Sequence, residues 1–386
     1  MNTLPEPSEA SAGVIDSFQK YLEQANLIHS VSDIYFQPNR QVGVKINRRW
    51  RPHPFVEDLL SEEEFNVLLR QCLELDAEYP LGHILKKKGE LTAEEQKQLN
   101  EKRDFAFYAK LDDIQYRVRG HIDNDYNGSF MDMRVLRADV EMPESLGFPD
   151  GMSDSFLDRN RGLILVQGRT GAGKSTTVAA LARAFSEKYP GSRILTIEDP
   201  IEYVLSFPNA VVSQKQVGVH VTSYMEGIYH AKREQPDLLI VGEMRDDATI
   251  RATMEAASSG LLVITTGHSD RYDRTLDKII AAYPPEKHDI IGRQLAYSLK
   301  GVIVQQLIPS VESDEEGVFA VPSLGYDIFL NTTTPTQTQI RKLRWDELAV
   351  DPNVSAFSLK KRVDELIKEG VISDQEGRSV LEQYES

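Results

Sequence analysis

The sequence predicts an α/β protein of two domains, in which a small sheet domain precedes a parallel sheet wrapped by helices. From about residue 160, strand and helix patterns alternate, as a parallel sheet requires, whereas strand patterns dominate the preceding part of the chain. A chain of 386 residues can bury a core in each of two domains. The predicted divisions are a flexible N-terminus (1–13), an N-terminal domain (14–140), a Pro/Gly-rich linker (141–155), an α/β core (156–310) and a C-terminal helical extension (311–386).

Composition indicates an acidic protein of an ordinary globular type. Asp and Glu number 60 against 44 Lys and Arg, for a net charge of −16. This balance disfavours a protein whose main function is binding nucleic acid, because phosphate contacts need clustered cations. No apolar run reaches the roughly 20 residues that span a bilayer, and no signal-peptide pattern is visible. The single cysteine, Cys72, is expected to be a buried apolar residue in a reducing cytoplasm.

The N-terminal domain is predicted as a sheet with flanking helices. A helix is expected over 13–28, and the strand "SDIYFQP" is followed by "QVGVKINRRWRP", with Asn39 and Arg40 as the turn between them. Ser61 and Glu64 form a capping box that starts the next helix. The polar stretch 86–103 is interpreted as a solvated excursion with a short helix capped by Thr92 and Glu95. Three further strands are predicted at "DFAFYAKL", "IQYRVRGHI" and "SFMDMRVLR".

The α/β core is predicted from alternating apolar strands and amphipathic helices. The strands are "GLILVQG", "RILTIED", "DLLIVGE" and "LLVITTG", and the helices cover 174–189, 222–234 and 247–259. Beyond residue 285 the pattern indicates mainly helix, interrupted by the strand-like "FAVPSLGYDIFL". The chain is expected to end in two short helices separated by a cap at Gly370.

The stretch "GRTGAGKST" predicts a phosphate-binding loop. It fits G-x-x-x-x-G-K-[ST] and lies between an apolar strand and a helix, as that loop requires. Its glycines allow backbone N–H groups to face a phosphate, Lys174 can reach the β- and γ-phosphates, and Ser175 can bind Mg²⁺. The predicted nucleotide-binding residues are Gly168, Arg169, Thr170, Gly171, Ala172, Gly173, Lys174, Ser175 and Thr176.

Three polar side chains are expected at the same sheet edge as this loop. Glu198, at the end of one strand, can orient an attacking water, although the acids of "EDPIE" could instead form a surface turn. Glu243 follows a strand as a Walker B acid does and would hold Mg²⁺ through water. His268 ends another strand and could contact a γ-phosphate, the alternative being a structural histidine.

These stretches together resemble the PilT-like secretion ATPase family, which includes the motors of type IV pili and of type II and type IV secretion. The resemblance rests on four motifs in order: "GRTGAGKSTT" as Walker A, "TIEDPIEYV" as the Asp box, "LLIVGEMRD" as Walker B and "TTGHS" as the His box. It is specific over roughly 160–310 and weaker in the strands of the N-terminal domain and the final helices.

The resemblance implies a PAS-like N-terminal domain and a RecA-like ATPase domain, assembled as a hexameric ring with nucleotide between the domains. ATP and Mg²⁺ are the implied cofactors. Glu198 would be the catalytic carboxylate, Glu243 the Walker B acid and His268 the His-box residue. Arg117 and Arg134 are candidates for γ-phosphate contacts, the alternative being solvated charges on strand faces. The family also implies a cytoplasmic location and docking on an inner-membrane platform or secretion-complex protein, without stable nucleic-acid binding.

The sequence departs from the family at three places. Leu261 stands where the His box usually has histidine, Gly267 replaces the usual leucine before His268, and Tyr229 replaces the first of two arginines before the Walker B strand. The second, Arg233, is retained, and its role is open.

Four functions follow from these motifs. The leading hypothesis is a motor for type IV secretion or conjugative transfer, because "QQLIPSVESDEE" is similar to the DotB/TraJ branch. The first alternative is a pilus-retraction motor. A RecA-like nucleic-acid translocase would need a basic, aromatic-lined pore, and a small-molecule P-loop kinase would need an acceptor pocket and lid.

Overall fold

The structure is a computed structural model of the chain. It describes residues 31–46, 49–52, 58–74, 104–111, 114–125, 128–137, 140–157, 161–310, 323–331, 333–343 and 357–385. By internal contacts the chain divides into two compact units, the first comprising 1–139 with 313–321 and the second 140–312 with 322–386. Among the helices so described, none combines the length and apolarity needed to cross a bilayer.

The first unit is built on a six-stranded antiparallel sheet in the order β3-β2-β1-β6-β5-β4. Its strands are β1 (Val31–Phe36), β2 (Gly43–Ile46), β3 (Arg49–Pro52), β4 (Asp104–Leu111), β5 (Ile114–Asp125) and β6 (Gly128–Arg137). The predicted turn is confirmed: Asn39 has φ +60° and the N–H of Arg40 bonds the carbonyl of Gln37. The prediction of one strand over "QVGVKINRRWRP" is wrong, because β2 and β3 pair with each other as a hairpin.

Helix α1 (Glu62–Glu74) begins at the predicted capping box. The N–H of Ser61 donates to the Glu64 carboxylate at 2.9 Å, and the N–H of Glu64 donates to the Ser61 hydroxyl at 3.2 Å. Cys72 is fully buried, as predicted, and burial raises the pKa of its thiol above the ordinary range. The predicted helix over 13–28 and the excursion over 86–103 lie outside the described residues.

The second unit contains a seven-stranded sheet in the order β13-β12-β7-β11-β10-β8-β9. Its strands are β7 (Gly162–Gln167), β8 (Ser192–Glu198), β9 (Ala210–Gln216), β10 (Leu238–Val241), β11 (Leu262–Gly267), β12 (Leu299–Ile308) and β13 (Ser323–Leu330). All neighbours are parallel except β12 and β13. The carboxyl ends of the parallel strands therefore meet at one edge, which is where α/β proteins bind their ligands.

Helices of the second unit cover this sheet. They are α2 (Met152–Phe156), α3 (Lys174–Lys188), α4 (Tyr224–Glu234), α5 (Asp247–Ser258), α6 (Tyr272–Ala281), α7 (His288–Ser298), α8 (Thr334–Arg341), α9 (Leu359–Lys368) and α10 (Asp374–Glu385). The three predicted core helices are confirmed to within two residues. Gly370, with φ +76°, separates α9 from α10, also as predicted.

One strand of this sheet lies where the sequence pattern predicts helix. Helix is predicted between residue 285 and the strand-like "FAVPSLGYDIFL", and this is wrong from residue 299, because α7 ends at Ser298 and β12 follows directly, between β7 and β13. The run "LKGVIVQQLI" has no strict alternation, since a strand buried on both faces needs none. The sheet also extends beyond residue 310, because β13 pairs along its length with β12.

The Pro/Gly-rich segment 141–155 belongs to the second unit. It contains a short 3₁₀ helix (Glu144–Leu146) and the start of α2. Phe148 and Met152 are buried in the same core cluster as β7. The prolines and glycines of this segment thus shape turns that pack on the core.

Candidate nucleotide site

The loop between β7 and α3 is held in a tight curve by glycines and by β12. Gly168, Gly171 and Gly173 all have positive φ angles, of +147°, +73° and +82°. A Cβ atom on Gly168 would lie 2.3 Å from the carbonyl oxygen of Gln305, so β12 leaves no room for a side chain there. The Gln305 amide also donates to the carbonyl oxygen of Ala172 at 2.7 Å. Gln305 was not among the predicted site residues, because the sequence pattern predicts helix where β12 lies.

Lys174 lies across the inside of this loop. Its ammonium donates to the carbonyl oxygens of Gly168 at 2.7 Å and Arg169 at 3.2 Å. Lys174 is also the first residue of α3, so the N–H groups of the first turn, including those of Ser175 and Thr176, point out of the helix N-terminus. The loop therefore combines a cation with a positive helix end, which suits a polyphosphate. Thr176 bonds the hydroxyl of Tyr203, which ties the loop to the segment after β8.

Glu198 is the last residue of β8; its side chain is half-buried and accepts hydrogen bonds from neutral donors. The hydroxyl of Thr196 donates to its Oε1 at 2.6 Å, and the amide of Gln214, on β9, donates to the same oxygen at 3.2 Å. Burial raises the pKa of the Glu198 carboxyl, and these two hydrogen bonds oppose the rise. Gln214 was missed because β9 was not predicted.

Glu243, just after β10, is held by two cationic or potentially cationic groups. His268 Nε2 lies 2.8 Å from its Oε1, and Arg245 Nε donates to its Oε2 at 2.7 Å. Arg245 also reaches the carboxylate of Asp199, at 3.4 Å, and so links the ends of β10 and β8. The structure thus brings Glu243 and His268 into contact. Arg245 was quoted within the Walker B motif, but its role was not foreseen.

Hydrogen bonds between the end of β11 and the residues after β10 fix the backbone just before His268. The Thr266 hydroxyl donates to the carbonyl oxygen of Gly242 at 2.6 Å, and the N–H of Met244 donates to the carbonyl oxygen of Thr266 at 3.1 Å. The departure at Gly267 has a steric reason: a Cβ atom there would lie 2.5 Å from the side-chain oxygen of Gln167. A leucine is therefore incompatible with the present position of Gln167.

The arginine candidates lie in two places. Arg134, on β6 of the first unit, is exposed and pairs with Asp33 (Nε to Oδ1, 3.0 Å). Arg117 lies on β5, opposite Tyr108 of β4 and Leu136 of β6. Both arginines belong to the first unit and the phosphate loop to the second, so a contact of either arginine with nucleotide stays a prediction.

Arg233, on α4 of the second unit, contacts the residue that replaces its usual arginine neighbour. Its guanidinium lies 4.8 Å from the Tyr229 ring centroid and donates to the Tyr229 hydroxyl at 2.9 Å. Tyr229 therefore orients Arg233 through a cation–π contact as well as a hydrogen bond.

Comparison with known proteins shows which family the chain belongs to. A family model described as Type II/IV secretion system protein matches residues 127–370. The uncharacterized protein YggR of Escherichia coli K12 is 32% identical over 305 residues, covering 79% of this chain and 83% of YggR. The type IV pilus retraction ATPase PilT of Pseudomonas aeruginosa is 38% identical over 196 residues, covering 50% of this chain and 56% of PilT. A twitching motility protein of Neisseria gonorrhoeae is 36% identical over 205 residues, or 54% of its length.

Solved structures agree on the fold. The pilus retraction motor PilT with bound ADP has a TM-score of 0.70 at 24% identity, covering 93% of this chain and 95% of that one. The ATPase DotB of Legionella pneumophila has a TM-score of 0.73 at 19% identity, covering 99% and 98% of the two chains. The matched part of this chain spans about half the length of the pilus relatives. From the family match and the YggR relationship together, the chain belongs to the type II/IV secretion system proteins, the PilT-like secretion ATPases.

Proposed function

We propose that the protein hydrolyses ATP and uses the energy to drive a secretion or pilus machine. One observation carries this proposal: a glycine loop with an inward lysine, a half-buried carboxylate whose pKa is raised, and a glutamate in contact with a histidine lie at the ends of β7, β8, β10 and β11, which are neighbouring parallel strands of one sheet. This arrangement can bind a triphosphate, orient a water and respond to the γ-phosphate.

The donor set fits Mg²⁺ held jointly with nucleotide. Among the residues that the structure describes, no cluster of three or more His, Cys, Asp or Glu side chains could hold a metal. Mg²⁺ commonly binds through one or two protein oxygens, substrate phosphates and water. Ser175 would supply the hydroxyl ligand, and Glu243, whose two oxygens already contact His268 and Arg245, would act through water. The bound ion would neutralise charge on the β- and γ-phosphates.

Different residues of the chain would bind the phosphates, activate water and stabilise charge during hydrolysis. Lys174 and the amides of the loop bind and orient the phosphates. Glu198, whose burial raises its pKa, orients the attacking water and accepts its proton. Arg117 and Arg134 are proposed to stabilise charge on the γ-phosphate, from the same subunit or from a neighbour. For Arg134 this requires release from Asp33.

Assembly and location follow from the family as parts of the same proposal. The first unit would be PAS-like and the second RecA-like, with six subunits forming a ring whose nucleotide sites lie between the domains. The ring would be cytoplasmic and would dock on an inner-membrane platform or secretion-complex protein. Closure around ATP and relaxation after phosphate release would provide the movement.

Lys174→Ala tests the site directly. We expect calorimetry to show loss of ATP binding, and phosphate release to stop, because the loop loses its only inward ammonium among the described residues. Lys188→Ala, at the end of the same helix, is the matched control, since its ammonium pairs with Asp154 instead. Unchanged ATP affinity in Lys174→Ala would refute the loop assignment.

Two machines are candidates for the motor. Relatives 36% and 38% identical to this chain are named for twitching motility and pilus retraction, which supports the pilus alternative. The motif "QQLIPSVESDEE" supports type IV secretion or conjugation. A deletion strain scored in parallel for twitching, conjugation and effector secretion distinguishes them, and complementation with Lys174→Ala shows whether the lost activity needs ATP. DNA-stimulated hydrolysis would instead favour a nucleic-acid translocase.

A further inference from the structure

Gln167 and Gly267 are neighbours in the sheet, on the strands that lead to the phosphate loop and to His268. They are register partners in the parallel pairing of β7 with β11. Gly267 has no side chain, and the amide of Gln167 occupies the space that one would fill. A Cβ atom on Gly267 would lie 2.5 Å from Oε1 and 2.9 Å from Nε2 of Gln167. The two residues therefore fit each other as a large and a small partner.

The Gln167 amide is positioned by a bond to the turn that carries His268. Its Oε1 accepts the N–H of Ser269 at 3.3 Å, which also fixes the orientation of the amide, since only the oxygen can accept. Gln167 is 2% exposed, and its Nε2 has no hydrogen-bond partner within the described ranges. An apolar side chain would avoid this unfavourable burial, so the polar contact with Ser269 is the distinctive feature of a glutamine here.

Ser269 connects this bond to the site. It follows His268, whose Nε2 contacts Glu243 at 2.8 Å. On the preceding side, Thr266 is tied to the end of β10. His268 is thus anchored from β10 on one side and from Gln167 on the other.

At its other end, Gln167 joins the phosphate loop. The next residue is Gly168, whose carbonyl oxygen accepts the Lys174 ammonium. A displacement of the loop would move the Gln167 backbone, and its side chain would transmit that displacement to Ser269 and His268. The route runs through one buried side chain and one hydrogen bond.

We propose that Gln167 is a positioning residue that couples the phosphate loop to the His268–Glu243 pair, and that Gly267 is the small partner it requires. This inference rests on the proposed ATPase function. Gln167 would influence the rate of hydrolysis without binding nucleotide through its side chain.

The first test is a double-mutant cycle on ATP hydrolysis. We expect Gln167→Leu to lower kcat about tenfold, because a misplaced site group reduces rate steeply, while ATP affinity stays unchanged. Gly267→Ala should lower kcat by a similar factor when Gln167 is present. In a Gln167→Ala protein it should lower kcat no further, because the added Cβ atom then has no Gln167 amide to overlap with. Gln294→Leu, exposed on α7, is the control. The proposal would be overturned if Gly267→Ala lowered kcat by the same factor with and without Gln167. It would also be overturned if Gln167→Leu left kcat unchanged, or lowered ATP affinity along with kcat.

A second test does not need turnover. The chain has eight histidines, and in histidine-labelled full-length protein the NMR resonance that disappears in His268→Asn belongs to His268. We expect Gln167→Leu to shift this resonance in the direction that Glu243→Gln shifts it, because both weaken the same contact. A His268 resonance that does not move in Gln167→Leu would refute the coupling. Wild-type protein that does not hydrolyse ATP would refute the proposed function, and the NMR result would then still decide whether Gln167 positions His268.

Discussion

Glu198 and Glu243 follow neighbouring parallel strands and differ in everything that surrounds their carboxylates. Glu198 is held by the neutral donors Thr196 and Gln214, and burial raises its pKa. Glu243 is held by Arg245 and His268, so its charge is already balanced. A carboxylate among neutral donors is suited to take a proton, whereas one paired with a guanidinium is suited to hold charge in place. The two different roles that we propose for these glutamates therefore rest on the surroundings of each carboxylate, more than on the residue type.

Removing the carboxylate of Glu198 should affect turnover more than any other change at these two glutamates. Glu198→Gln should lower ATP turnover by at least about 100-fold, because an amide cannot accept the proton of the attacking water. Nucleotide affinity should stay as in the wild type, which calorimetry checks. Glu187→Gln, on the exposed side of α3, is the control. Turnover near the wild-type value in Glu198→Gln would assign the proton to another group.

A smaller effect is expected when Glu243 is changed. Glu243→Gln should weaken the response to Mg²⁺ by about 10- to 100-fold, as loss of an outer-sphere partner of a metal does. Turnover should recover partly as Mg²⁺ is increased, whereas Glu198→Gln should not recover. Titration of phosphate release with Mg²⁺ measures both. A Mg²⁺ dependence identical to that of the wild type would remove Glu243 from the metal site.

The same two regions show how far sequence reasoning reached. The loop, Glu198, Glu243 and His268 were predicted as candidates because each follows a recognisable apolar strand. Their ionic and hydrogen-bond partners were not, because such contacts depend on which strands are neighbours in the sheet.

Gln214 illustrates what the sequence could not supply. It lies on β9, a partly exposed strand without strict alternation, and it reaches Glu198 only because β9 pairs with β8. Gln305 was hidden for a related reason, since β12 was taken for helix. Local patterns predict elements, whereas the order of strands decides which side chains meet.

The pH dependence of turnover should report the pKa of Glu198. In the proposed mechanism hydrolysis requires ionised Glu198, so the rate should fall as pH decreases through the raised pKa of this carboxyl. Gln214→Leu removes a hydrogen bond that lowers this pKa, and the acidic limb of the kcat profile should therefore move to higher pH with the plateau unchanged. Ser213→Ala, the neighbouring change on β9, should leave the limb in place. A limb that moves to lower pH would contradict the assignment.

Little change in turnover is expected at Asp327, whose pKa is raised like that of Glu198 but whose carboxylate bonds Tyr384 of the final helix. Burial raises the pKa of Asp327 from 3.8 to about 6. A carboxyl whose pKa is higher when folded contributes its stability below the unfolded pKa and loses it as pH rises through the folded value. Asp327→Asn, which cannot ionise, should therefore raise the free energy of unfolding by up to about 3 kcal/mol near neutral pH and change it little below about pH 4.

Urea unfolding at both pH values measures this difference, with phosphate release as the second readout. Equal changes in the free energy of unfolding at both pH values would mean that ionisation of Asp327 is not the cause. A loss of turnover larger than the loss of folded protein would show that a buried carboxylate away from the phosphate loop also matters for catalysis.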